Sequence, residues 1–220
     1  MKHTLIALFA TAVLAATSSA EDGWIQMFNG KDITGWKSNA TTDGHPDDGA
    51  NIFTAKNGEL VAKGGRAHLF YVGPDGKATF KNFVFKAKVK TTKGSNSGIY
   101  FHTTLEESGW PSKGYECQVN ATHSDNKKTG GLYAVADVLD NAPNKDGEWF
   151  DYAIKVDGKH IQISINGKIT TDWTEPDDWD PSKSLNNMPG RKLSEGTIAI
   201  QAHDPKSTTY YKDLFIKPLP

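Results

Sequence analysis

Two stretches of strict period-two alternation constrain this chain more than any other feature. In "NFVFKAKVKTT", Phe83, Phe85, Ala87 and Val89 alternate with Val84, Lys86, Lys88 and Lys90. In "HIQISINGKIT", Ile161, Ile163 and Ile165 alternate with Gln162, Ser164 and Asn166. Successive side chains on a strand point to opposite faces, so each stretch reads as a strand with one buried face and one wet face. Asp157-Gly158 and Asn166-Gly167 punctuate this region, and a two-residue hairpin turn needs the positive φ that Gly and Asn adopt most readily. Residues 149–172 therefore read as consecutive antiparallel strands. Further strands are expected at 51–55, 59–62, 67–72, 98–103, 114–120, 196–202 and 209–217. No strand–helix–strand rhythm appears, which specifies an all-β antiparallel sandwich with few or no helices.

A different kind of segment precedes the alternation. Lys2, an apolar run from Leu5 to Ala16 and the small residues Ser18-Ser19-Ala20 make a secretory signal pattern, and the run is too short to span a bilayer. Residues 1–20 are thus expected to be a cleavable signal peptide and 21–220 a single domain, periplasmic or secreted. No later stretch is apolar enough for a membrane span. With Lys2 set aside, 24 basic residues face 26 acidic ones, a net charge of −2. No block of like charge appears, which argues against a nucleic acid or an anionic membrane as partner. The lone cysteine, Cys117, alternates with Tyr115 and Val119, and reads as a small core residue rather than a catalytic thiol.

The same alternation sets Glu116 and Gln118 on the face opposite Tyr115, Cys117 and Val119. In "SNSGIYFHT" it sets Tyr100 and His102 together, away from Ile99 and Phe101. If these two strands are neighbours, His102 and Glu116 come within reach, and a histidine kept basic by a carboxylate suits proton transfer near neutral pH. A solvated sheet face would show the same pattern. Tyr100, Tyr133 and Trp110 lie in or near these stretches, and aromatic rings bury the flat C–H faces of sugars while polar neighbours take the hydroxyls. Three irregular stretches, 38–50, 121–131 and 173–195, are long enough to be functional loops. The first carries Asp43, His45, Asp47 and Asp48, without the spacing of a calcium loop.

Taken in order, "MFNGKDITGW", "SNSGIYFHT", "GYECQV", "TGGLYAV", "GEWFDYAIKVDGKHIQISINGKITTD" and "GTIAIQAHDPKSTTYYKDLFIKPL" resemble the family once called DUF1080. These are the 3-keto-disaccharide hydrolases, with a 3-keto-glucoside 1,2-lyase/3-keto-2-hydroxy-glucal hydratase domain. The resemblance implies a concanavalin A-like lectin/glucanase sandwich and a glycoside substrate already oxidised to a ketone at C3. Such a ketone acidifies the C2 proton and lets the aglycone leave C1 by β-elimination, after which added water gives net cleavage. The resemblance implies Glu116 or His102 as general base and His203, in "IQAHD", as a second acid/base or an orienting group. Asn96 and Gln118 would hydrogen-bond the sugar or the enolate. Position 102 departs from the family, which often has Arg there, a donor that cannot serve as a base. No cofactor is fixed by the resemblance; a divalent metal, if one binds, has His102, Glu116 and His203 as candidate ligands. Two other functions stay open, because a fold does not dictate an activity. One is a non-catalytic carbohydrate-binding module; the other is a conventional glycoside hydrolase, which needs two carboxylates about C1 where only Glu116 is prominent.

Overall fold

The computed structural model describes residues 23–39, 51–185 and 187–220. The expected signal peptide lies outside the described residues, as do Asp43, His45, Asp47 and Asp48. The strands in chain order are β1 (Ile25–Gln26), β2 (Trp36–Ser38), β3 (Phe53–Lys56), β4 (Glu59–Lys63), β5 (Ala67–Tyr71), β6 (Phe83–Thr91), β7 (Asn96–Thr103) and β8 (Tyr115–Asn120). They continue as β9 (Lys127–Leu132), β10 (Ala136–Leu139), β11 (Phe150–Asp157), β12 (His160–Ile165), β13 (Lys168–Thr174), β14 (Thr197–Ala202) and β15 (Thr208–Pro218). A single short helix, α1 (Pro181–Ser184), interrupts the last long loop, with Asp180 capping it. No described helix is long and apolar enough to cross a membrane.

Two antiparallel sheets pack face to face. One runs β13-β12-β11-β6-β15-β4-β3, with β1 added against β15; the other runs β10-β9-β8-β7-β14-β5-β2. The expected β11–β12–β13 meander is present, with Tyr152 opposite Ile165 and Ile161 opposite Trp173. Along β6, the alternation of Phe83, Phe85, Ala87 and Val89 with exposed or half-buried neighbours is the burial pattern observed. Each of the strands expected from the sequence is found, within a few residues at its ends. Strands β1, β2, β9 and β10 were not legible: β9 reads "KKTGGL", and its pairing with β8 and β10 overrides its weak propensity.

The core lies between the sheets, and two tyrosines cross it. Tyr152 on β11 donates its hydroxyl to the carbonyl of Gln118, 3.1 Å away on β8. Tyr211 on β15 meets Ser97 Oγ at 2.7 Å, and that hydroxyl donates to the carbonyl of Gln201 on β14. Buried phenols need such partners. Tyr152 reaches the Gln118 carbonyl directly and Tyr211 reaches that of Gln201 through Ser97, and the side chains of both glutamines point out of the far side of the seven-stranded sheet. That far side is not wet: β7 and β8 are buried along their whole lengths, because loops cover them.

Candidate active site

The covered face of the seven-stranded sheet carries a cavity of about 540 Å³, within the usual range for small-molecule sites. Strand register builds its floor. Tyr100 lies opposite Glu116 and Gly98 opposite Gln118 across β7 and β8, while Ala199 of β14 lies opposite Tyr100 on the other side. Gly98 matters because a Cβ there would stand 2.5 Å from Glu116 Oε1. The missing methyl lets the carboxylate lie across β7 toward β14. There Gln201 Nε2 donates to Glu116 Oε1 at 3.1 Å and to the Tyr100 hydroxyl at 3.0 Å.

The counter-charge comes from the 173–195 loop. Arg191 Nη2 donates to Glu116 Oε2 at 2.9 Å, and both side chains are almost wholly buried. The loop is held in place by its own anchors. Tyr115 donates to Glu175 Oε2 at 2.6 Å, the same oxygen accepts the Leu193 N–H, and Trp179 Nε1 donates to the carbonyl of Arg191. Trp173 packs edge-on to both Tyr115 and Trp179. Gly190 runs so close to the other wall that a Cβ would strike the Ser112 carbonyl oxygen.

Burial pushes the Glu116 carboxyl above its ordinary range, and the Arg191 guanidinium opposes that shift. Burial also works against the charge of Arg191, but Tyr100 and Glu116 outweigh it and raise its pKa. The Tyr100 phenol is driven well above its usual value by burial and by the Glu116 charge beside it. The floor is thus a desolvated ion pair braced by a neutral phenol, and breaking such a pair by removing one partner is strongly destabilising.

Four polar atoms around this floor have no hydrogen-bond partner among the described residues: Asn96 Oδ1, Gln118 Oε1, Gln201 Oε1 and Arg191 Nε. All four residues border the cavity. Buried polar atoms are almost always satisfied, and these four cluster about one cavity. Trp110, 43 % exposed, stands at the rim. Its ring lies 5.8 Å from that of His203 and 4.9 Å from the Arg66 guanidinium. Tyr133 also borders the cavity, with its hydroxyl donating to Asp125; burial, then Asp125, raises its pKa to about 12.

His203 borders the cavity as well, just past the end of β14, and donates from Nδ1 to Asp204 Oδ2 at 2.9 Å. Its hydrogen is therefore on Nδ1, which leaves Nε2 as an acceptor. Asp204 is fixed in turn by Ser207 Oγ and the Lys206 N–H. Although burial acts the other way, Ser207 and His203 hold its pKa below the ordinary value.

The structure brings together Glu116, His203, Asn96, Tyr100, Gln118, Tyr133 and Trp110, but not His102. Between Tyr100 and Thr103, β7 carries one more residue than the facing segment of β14, and His102 takes up that bulge at φ 56°. The bulge breaks the alternation that would have put His102 beside Tyr100. Its ring instead packs against Phe83 and Phe101, with Nε2 against the Lys81 carbonyl and Nδ1 accepting the Ser194 N–H. Burial lowers its pKa.

The metal set His102, Glu116 and His203 falls with this correction. Among the described residues, His123, His203 and Asp204 place one ligating atom each within 4.8 Å. The Asp125 N–H donates to His123 Nδ1 at 3.1 Å, so the hydrogen of this ring is on Nε2, the atom 4.0 Å from Asp204. His203 likewise turns its N–H to Asp204.

Arg191, Gln201 and Asp204 escaped the sequence reading. Arg191 touches Glu116 across 75 positions of chain, and the sequence marked its segment only as a long irregular stretch.

A family model described as "3-keto-alpha-glucoside-1,2-lyase-like domain" matches residues 23–217. A protein of Bacteroides thetaiotaomicron named 3-keto-disaccharide hydrolase is 24 % identical over an alignment spanning 90 % of this chain and 79 % of that protein. A solved structure from Parabacteroides distasonis, provisionally described as a glycosyl hydrolase, superposes with a TM-score of 0.73 at 24 % identity, covering 90 % of this chain and 94 % of that one. The β-glucanase of Bacillus licheniformis shares the sandwich, with a TM-score of 0.56 at 13 % identity over 91 % of this chain and all of that one. The chain belongs to the 3-keto-alpha-glucoside-1,2-lyase-like family of carbohydrate-active proteins.

Proposed function

We propose that this protein is an exported enzyme that cleaves 3-keto-glycosides by C2 proton abstraction and β-elimination, followed by hydration. One observation carries this reading: among the described residues lining the cavity there is one carboxylate, Glu116, and it is already paired with a buried arginine. Hydrolysis at C1 through an acid and a nucleophile or base would need two carboxyl groups about 5–10 Å apart. Elimination needs instead one base near C2, a donor for the developing oxyanion and a proton for the departing oxygen. His203, with Nδ1–H tied to Asp204 and Nε2 left as acceptor, has the features of that base. Trp110 supplies a flat apolar surface for the sugar at the rim. The names borne by the family and by the Bacteroides protein support the substrate class. Export rests on the composition of residues 1–20.

The test is paired turnover of one glucoside before and after enzymatic oxidation at C3, with NMR detection of the unsaturated intermediate. Cleavage of the oxidised form alone, with a transient C1=C2 enone, is the expected result. Equal cleavage of the unoxidised glucoside would replace this reading with conventional hydrolysis. Saturable binding without cleavage would replace it with a binding module.

A further inference from the structure

We infer that Arg191 recognises the C3 carbonyl oxygen and holds the enolate, and that Glu116 is the positioning residue for Arg191 rather than the base; this rests on the 3-keto-glycoside reading above. The argument is a matching of donors and acceptors. Gln201 must turn Nε2 to the Glu116 carboxylate, so its unpartnered Oε1 is fixed as an acceptor. Gln118 donates from Nε2 to the Lys127 carbonyl, and Asn96 turns Nδ2 toward His123 Nδ1, which again leaves an unpartnered oxygen on each. The floor therefore holds three unpaired acceptors and one unpaired, charged donor, Arg191 Nε. Other hydroxyls at the wall are engaged: Tyr133 with Asp125, and Ser112 with Glu106.

A 3-ketoglucosyl ring is the complement of that set. It has three hydroxyls able to donate, at C2, C4 and C6, and at C3 a carbonyl oxygen that, like the ring and glycosidic oxygens, only accepts. An unoxidised ring carries a hydroxyl at C3, whose oxygen can accept from the guanidinium but whose hydrogen finds no acceptor on it. The same contact serves the chemistry. When the C2–H bond breaks, the proton passes to His203 Nε2 and the electron pair moves through C2–C3 onto O3, beside the Arg191 cation. The carbonyl then re-forms, the C1–O bond breaks as C1=C2 forms, and the proton is returned to the aglycone oxygen. A donor fixed in advance where charge develops is the arrangement that accelerates such a step most. Glu116, with its oxygens engaged by Arg191 and Gln201, is committed to holding that donor.

A C-methyl glucoside and its C3 ketone separate binding and proton abstraction from elimination, because the methyl group cannot leave. Affinity is read by calorimetry, and C2 proton exchange into D2O by NMR. The wild type should bind the ketone at least about tenfold more tightly than the alcohol and exchange its C2 proton. Arg191→Gln should bring the two affinities within about twofold and slow exchange by about 100-fold or more. Because that variant leaves a buried carboxylate bare, the neutral pair E116Q/R191Q repeats the measurement with the charge removed. Glu116→Gln alone still accepts from Arg191, and should keep the ketone preference and exchange within about tenfold. Ketone preference that survives in E116Q/R191Q overturns the role of Arg191. Loss of exchange in Glu116→Gln with binding intact overturns the positioning role and makes Glu116 the base. A wild type that neither prefers the ketone nor exchanges defeats the 3-keto-glycoside reading itself, and no variant is needed to see it.

Discussion

Gly98 sits in the middle of a buried strand with ordinary backbone angles, so conformational freedom is not the reason for it. Its role is the space that its absent side chain leaves, into which the Glu116 carboxylate folds. Displacement of a positioned group by about 1 Å typically costs about 100-fold in rate. Gly98→Ala should therefore lower kcat/KM for a 3-keto-glycoside by about that factor while the protein still folds, as steady-state kinetics beside a thermal melt would show. Full activity in a folded variant would mean that the carboxylate's position does not matter. At this scale the sequence was informative where alternation is regular: Glu116, Gln118 and Tyr100 share the face expected of them, and Cys117 is buried with Tyr115 and Val119. Partnerships made across long stretches of chain, such as Arg191 with Glu116, leave no local trace. The dyad of His203 and Asp204 is adjacent in sequence, yet nothing in "AHDP" shows that one turns its N–H to the other.

Strand β7 shows where period-two reading stops working. The rule holds from Asn96 to Phe101, whose partners on β8 run in unbroken register. It fails one residue later, because the bulge against β14 inserts His102 in the left-handed region. A bulge is a property of two strands together, and one strand's sequence cannot announce it. His102 then acts as a splice, tying the end of β7 to the Lys81 carbonyl and to the Ser194 N–H in the loop that brings Arg191. His102→Ala should cost about 2 kcal/mol of stability, roughly the sum of two lost hydrogen bonds, by denaturant unfolding. It should leave kcat/KM within about threefold. A loss of activity comparable to that of a base deletion would return His102 to the chemistry. The meander β11–β12–β13 lies at the other extreme: patterning and Asx-Gly turns were enough to place it.

At the scale of the whole molecule, buried histidines make stability fall on acidification. Burial drives the His68 imidazole down to about 3, and burial lowers His102 and His123 as well. Below about pH 6.5, the ordinary histidine value, the unfolded chain takes up protons that the folded one refuses. Stability is therefore fully present above that pH and is lost as pH falls, and for His68 the loss continues down to about 3. Each such group steepens the decline by about 1.4 kcal/mol per pH unit. Urea unfolding between pH 7 and 4 should show the slope, and His68→Leu should make it shallower by about one proton. An unchanged slope in that variant would mean that the buried ring accepts its proton without unfolding.

The origin of Arg191 has a consequence for traffic through the pocket. The residue that carries the floor's positive charge belongs to the loop that forms one wall, so the wall is fastened by an ionic lock set beneath it. Lifting that wall would part the buried ion pair, and deleting one partner of such a pair typically costs on the order of 3–5 kcal/mol. Trp110, the half-exposed ring at the rim, borders the same cavity from a different segment of chain.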